Sequence, residues 1–176
     1  AQESRGLGDV YKRQSPVISV REAIGDLPSL ESGEASDIPW HFARKHLPRQ
    51  VEWMRNTPSG ETAFDNPLHF PKVKDGKPIK AFRSTYRRMK WDTPSPVISM
   101  RNDAISSQAN VHPGRLLESG IYSDARVLTP RELLVLSSVN PEKLPHGSVS
   151  EANLRKAIGE GLPPQALNRL VSGFKR

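Results

Sequence analysis

The chain has 176 residues, room for one ordinary domain or a small domain with an appendage. A hydrophobic share of 35%, below the usual ~45–50%, goes with 16 prolines and few aromatics, and predicts a loop-rich fold around a modest core rather than full disorder. Net charge +7 and a pI near 9.9 favour an anionic partner, nucleic acid ahead of a membrane surface, while the lack of cysteine excludes disulfides, thiolate metal sites and a cysteine nucleophile within these residues. No apolar run approaches the ~18 residues of a membrane span, and residues 1–14 lack the apolar centre of a secretory signal, so a cytoplasmic location is expected.

Residues 1–14 (AQESRGLGDVYKRQ) show no helical or strand period and read as an adapter-derived segment, outside the fold. Ser19 and Glu22 match a capping box, and Val20, Ala23, Ile24 and Leu27 form a short helical stripe ended by Gly25 and Pro28. Residues 28–40 read as a loop. Pro48 opens a helix with Val51, Trp53 and Met54 on its apolar face, stopped by Pro58. Residues 57–80 hold four prolines and two glycines and read as an irregular excursion. Ser84–Tyr86 and Val97–Ser99 are strand-like in composition. Thr129-Pro-Arg-Glu132 is a strong helix start, with Leu133, Leu134 and Leu136 facing a core. Ser150 opens a further short helix closed by Gly159 at the position just past its end, and Pro163-Pro164 opens the last, carrying Ala166, Leu167, Leu170 and Val171. SPVISVR at 15–21 echoes SPVISMR at 95–101, with no flanking similarity to make it a repeat.

Charge is concentrated rather than spread. Residues 72–101 hold nine Lys/Arg against two Asp, a net +7 that equals the charge of the whole chain. Such a segment suits phosphate contact, with Arg83, Arg87, Arg88 and Lys90 as candidates; a solvated basic loop is the plainer alternative. Arg101, Asn102 and Gln108 have the side-chain types that read base edges, Arg on guanine and Asn or Gln on adenine. His41 and His46 are five apart with Pro48 beyond, a poor match to metal-ligand spacing, and His112 precedes a proline in a turn; no metal is expected. Trp40, Trp53 and Trp91 read as core rather than as a base-stacking platform.

Several segments in order resemble the second half of DNA (cytosine-5) methyltransferases. VREAIGDLP (Val20 to Pro28) resembles the entry into that family's target-recognition region. YRRMKWDTPSPVIS (Tyr86 to Ser99) is similar to its Tyr-Arg, Trp-Asp and Ser-Pro-Thr-Ile-Thr stretch. NVHP (Asn110 to Pro113) with DARVLTPREL (Asp124 to Leu133) resembles its His-Pro element and ninth motif, and AIGEGLPPQAL (Ala157 to Leu167) its tenth. Departures are Val97 and Ser99 for two threonines, Ser138-Val-Asn-Pro141 for Gln-Gly-Phe-Pro, and Glu160 for Asn.

The resemblance implies double-stranded DNA as partner and S-adenosylmethionine as cofactor. It implies that Arg126, Arg131 and Glu132 belong to a structural motif in which Arg126 and Arg131 help hold the target-recognition domain to the catalytic domain, and that the backbone of Glu160, Gly161 and Leu162 borders the cofactor. By charge pattern alone, Arg131 and Glu132 are first-turn helix residues. The family's glycine-rich cofactor loop and Pro-Cys nucleophile have no counterpart here, and the reaction needs a thiolate to add to cytosine C6. The chain is therefore expected to be inactive alone, as a truncated product or as one subunit of a split enzyme with an N-terminal catalytic half. The expected fold is α+β: a small irregular target-recognition domain over 15–125, then, over 126–176, C-terminal helices of an incomplete Rossmann-like domain. The rivals are a stand-alone basic nucleic-acid-binding module without enzymatic activity and a general protein-interaction domain.

Overall fold

A computed structural model describes residues 17–144, 147 and 149–173, with side chains through Asn168; the expectations for residues 1–14 and for the Leu170 and Val171 side chains lie outside that set. Among the described residues five helices occur in chain order: α1 (Val20–Ile24), α2 (Pro48–Arg55), α3 (Pro130–Leu136), α4 (Glu151–Glu160) and α5 (Pro164–Gly173), with 310 turns at Ala63–Asp65 and Pro141–Lys143.

The helix starts follow their local chemistry. At α1 the Ser19 hydroxyl accepts from Glu22 N–H, and the Glu22 carboxylate accepts from Ser19 N–H at 2.7 Å. At α3 Thr129 and Glu132 make the same reciprocal pair, the Thr129 N–H donating to Glu132 Oε2 at 2.6 Å. Each such cap typically contributes ~1 kcal/mol. α4 departs from expectation: it runs through Gly159 and is capped by Gly161. The reason is packing. A Cβ on Gly159 would lie 2.5 Å from the Met100 backbone, so this glycine admits the 99–100 segment against the helix.

Among the described residues no multi-residue strand forms. Pairing is confined to isolated bridges, including Thr62 with Arg87, Arg88 with Val111 and Val111 with Val127. Those three line up segments 61–63, 86–89, 110–112 and 126–128 through bonds such as Met89 N–H to Val111 O at 2.9 Å and His112 N–H to Arg126 O at 2.9 Å. The layer cannot lengthen into ladders because its borders turn: Tyr86, Ala109 and Asp124 take φ of 48°, 40° and 50°. Of the expected strands, 84–86 supplies one bridge, at Thr85, and 97–99 none.

Three apolar clusters pack around this layer. Trp53, Met54, Ala63, Tyr86, Ile105, Val111, Ala125 and Val127 form the first, where Tyr86 meets Trp53 and Phe64 edge-on. Val20, Ile24, Met89, Trp91, Leu128 and Leu133 join α1 to α3 in the second. Trp40, Leu134 and Leu154 join α3 to α4 in the third. All three tryptophans are buried, as core residues. α4 thus closes onto the body, whereas residues 161–168 at the start of α5 are exposed.

Candidate nucleic-acid interface

At the centre lies a buried ionic frame. Arg126 donates to both Glu132 oxygens, at 2.8 and 3.0 Å, to Asp124 Oδ1 at 2.9 Å and to Leu30 O at 2.7 Å. Burial works against its charge, but Glu132 and Asp124 outweigh burial and hold the guanidinium above its ordinary value. Glu132 is fully buried, which alone would raise its pKa; Arg126, His112 and the Thr129 N–H bring it to about 2. Asp124 resolves the same way, burial being overcome by its charged neighbours and by the hydroxyls of Ser123 and Ser29, both at 2.6 Å.

His112 sits inside this frame with its ring edge-on to Trp91, 5.2 Å between centroids. Burial pushes it down to about 4, so the ring is neutral at physiological pH. Its Nδ1 accepts from Gly114 N–H at 3.1 Å, which leaves the proton on Nε2, facing Glu132 Oε1 at 3.7 Å. His41 is spent internally too: Nε2 donates to Pro28 O at 3.0 Å and Nδ1 accepts from the Thr129 hydroxyl at 3.1 Å. Among the described residues no cluster of His, Asp and Glu could hold a metal ion.

Two of the expected DNA contacts belong to this interior and are corrected. Arg88 is 1% exposed and gives its guanidinium to the carbonyls of Met54, His112, Ser123 and Asp124 at 2.8–3.2 Å. Burial lowers its pKa to about 10, still protonated at neutral pH. A guanidinium whose donors are used inside the protein cannot reach a phosphate. Asn102 is likewise buried: its amide donates to Ser99 O and Arg155 O, and its oxygen accepts from Arg155 Nη1 at 3.2 Å. Arg155, buried and bonded also to Leu128 O and Glu151, ties α4 to this segment.

The other candidates lie at the surface. Arg83 is exposed and paired with Asp65; Arg87 is half-buried, donating to Gly60 O at 2.7 Å; Lys90 is exposed, its stem lying over Gly60. Arg101 and Gln108 are exposed and share one concavity of about 420 Å³ with Thr85, Ser99, Met100, Ser106 and Ser107. The Thr85–Gln108 bridge and the bond from Ala109 N–H to Ser84 O hold the 101–109 loop beside the basic segment.

One feature escapes the sequence reading. Residues 71–79, inside the expected excursion, form a small antiparallel projection: Lys72 bridges Pro78, Val73 N–H donates to Lys77 O and Ile79 N–H to Pro71 O, both at 2.9 Å. Gly76 at its tip takes φ 83°. Asp75-Gly76 between two extended pieces is the local sequence signal for this hairpin. The projection carries exposed Lys72, Lys74 and Lys77 outward, with Lys80 following.

Arg126 and Glu132 join segments of this chain to one another, and Arg131 bonds Pro39 O at 3.1 Å and Glu142 at 2.6 Å. Glu160, Gly161 and Leu162 line a concavity of about 540 Å³ with residues 95–98, Leu136, Ser137 and Ile158. There Glu160 is exposed and paired with Lys156, and Gly161 N–H is bonded to Ala157 O.

No family model matches the chain. It is 47% identical over 155 residues, 88% of its own length, to the Type II methyltransferase M1.HgaI of Avibacterium volantium. It spans 43% of that relative's length. The sequence is therefore similar to part of a Type II methyltransferase.

Proposed function

We propose that this chain is the DNA-recognition and C-terminal portion of a DNA (cytosine-5) methyltransferase of restriction–modification type, which transfers the methyl group of S-adenosylmethionine to cytosine in a specific duplex sequence. The observation that carries the reading is the 47% identity to part of a Type II methyltransferase. The exposed basic surface, from the 71–79 projection through Arg83 and Lys90 to the Arg101/Gln108 concavity, supports contact with DNA. Phosphate contacts fall to Lys72, Lys74, Lys77, Lys80, Arg83 and Lys90, base contacts to Arg101 and Gln108. The buried Arg88–Asp124–Arg126–Glu132 frame keeps the loops bearing them in one geometry.

In this reading S-adenosylmethionine supplies the methyl group, and the backbone at Glu160–Leu162 forms one border of its site. These residues do not by themselves enclose a cofactor, and with no cysteine in the sequence the thiolate must come from an N-terminal half. One observation favours a second reading, a self-contained basic nucleic-acid-binding module: α4 closes onto the same core as α3. Both readings predict salt-dependent DNA affinity. Six phosphate contacts give a log–log salt slope of about −5. A slope near zero in a titration against duplex DNA removes both and leaves a protein-interaction domain.

A further inference from the structure

Resting on the proposed DNA partner, one residue of the basic surface has a chemistry that charge does not explain. The other phenylalanines with described side chains, Phe42, Phe64 and Phe70, are half-buried, and Phe64 and Phe70 are engaged by Tyr86 and Lys72. Phe82 is 80% exposed. A solvent-facing phenyl ring forgoes the stabilisation that burial would give, and in the sequence Phe82 falls between Lys80 and Arg83. Its backbone is nonetheless held firmly: Phe82 O accepts from Thr85 N–H at 2.9 Å and from the Thr85 hydroxyl at 2.7 Å. This turn follows the 71–79 projection and leads directly into the bridge between Thr85 and Gln108, at the edge of the Arg101/Gln108 concavity. A rigidly mounted apolar ring between two cations suits a polyanion whose interior is made of aromatic faces. The cations meet backbone phosphates, and the ring enters where stacked bases part.

We infer that Phe82 is a wedge residue that inserts against the base stack of bound duplex DNA, while Lys80 and Arg83 grip the phosphates on either side. No bond is made or broken; the ring exchanges water for base faces. Inserting a ring into intact duplex costs the unstacking of a base step, so a duplex containing one abasic position, where part of that cost is already met, should bind more tightly than its intact parent.

The test measures binding of the full chain to a mixed-sequence DNA duplex and to the same duplex with a single abasic position, over a range of salt. Compared are the parent chain, Phe82→Ala, Phe82→Trp and Lys74→Ala. The expected result for Phe82→Ala is a loss of roughly 5- to 150-fold with an unchanged salt slope, and loss of the preference for the abasic duplex. Phe82→Trp, which keeps an aromatic face, should stay near parent affinity. Lys74→Ala should instead make the salt slope shallower by about one. If Phe82→Ala binds both duplexes within twofold of the parent while Lys74→Ala shifts the slope, the wedge is refuted and the DNA reading stands. If the parent chain shows no salt-dependent binding to either duplex, the DNA reading fails and the wedge with it. Phe82 is at the surface, so its variants should melt with the parent; a retained melting temperature assigns any lost affinity to the ring.

Discussion

Replacing Glu132 by glutamine changes one buried oxygen to an amide and tests the frame on which the recognition loops stand. Glu132 is buried and accepts from Arg126 Nη1 at 2.8 Å, Arg126 Nη2 at 3.0 Å and Thr129 N–H at 2.6 Å. Glutamine keeps the shape but offers one acceptor, so its NH2 must face a donor of Arg126 or Thr129. The frame also loses charge balance: Arg88 and Arg126 would then be matched by Asp124 alone among the fully buried carboxylates. Breaking a buried pair by removing one partner costs about 3–5 kcal/mol. That is a large part of a typical total stability of about 5–15 kcal/mol. For a chain of this size it lowers the melting temperature by roughly 6–20 °C. Thermal unfolding followed by circular dichroism at neutral pH reads it directly. The double variant Arg126→Met, Glu132→Leu should lose less than the sum of the two single variants, because it leaves neither of these two charges stranded. A Glu132→Gln protein melting within about 2 °C of the parent would refute the argument, since that shift corresponds to less than roughly 1 kcal/mol.

Stability should also fall on mild acidification. His112 and His46 are held near 4 in the folded chain against 6.5 for free histidine, burial being the main cause for both. The unfolded chain therefore takes up protons first, and their contribution is complete above pH 6.5 and lost as pH falls towards 4. Glu132, held near 2, adds a further loss below the ordinary carboxylate range. A melting temperature that stays flat from pH 7 to pH 4 would contradict this. Gly159→Ala has an informative sign. Alanine in a helix ordinarily stabilises by up to ~1 kcal/mol relative to glycine, but here its Cβ meets the Met100 backbone, so a loss of about 1–3 kcal/mol in a denaturant melt is expected, and a gain would show that the 99–100 segment does not pack there.

The local signals in the sequence were legible because their physics is local. Ser19 with Glu22 and Thr129 with Glu132 bond within three residues, so the motif is nearly the structure. Pro48, Pro130 and Pro164 marked helix starts for the same reason. Arg88 and Asn102 were misassigned because residue type gives chemistry but not burial. Four carbonyls from residues 54, 112, 123 and 124 converge on Arg88 only after the chain has folded. Gly159 looked like a helix end because its neighbour, Met100, is remote in sequence. The strand-like composition of 84–86 and 97–99 was overridden by left-handed residues that break the register and by the absence of a partner at 97–99. Surface placement of Arg101 beside Gln108 follows from one bridge, which no pattern in the sequence announces.

In the proposed function this chain supplies DNA recognition to a methyl transfer whose thiolate lies elsewhere. The most direct measurement combines the full chain with the N-terminal half of a DNA (cytosine-5) methyltransferase, carrying that family's Pro-Cys nucleophile and glycine-rich cofactor loop, and follows transfer of labelled methyl from S-adenosylmethionine into duplex DNA. No transfer is expected from either half alone, and methylation at cytosine C5, at a defined sequence, is expected when both are present. Labelled methyl appearing on an exocyclic nitrogen, or no transfer with any such half even though this chain binds the duplex, would contradict it.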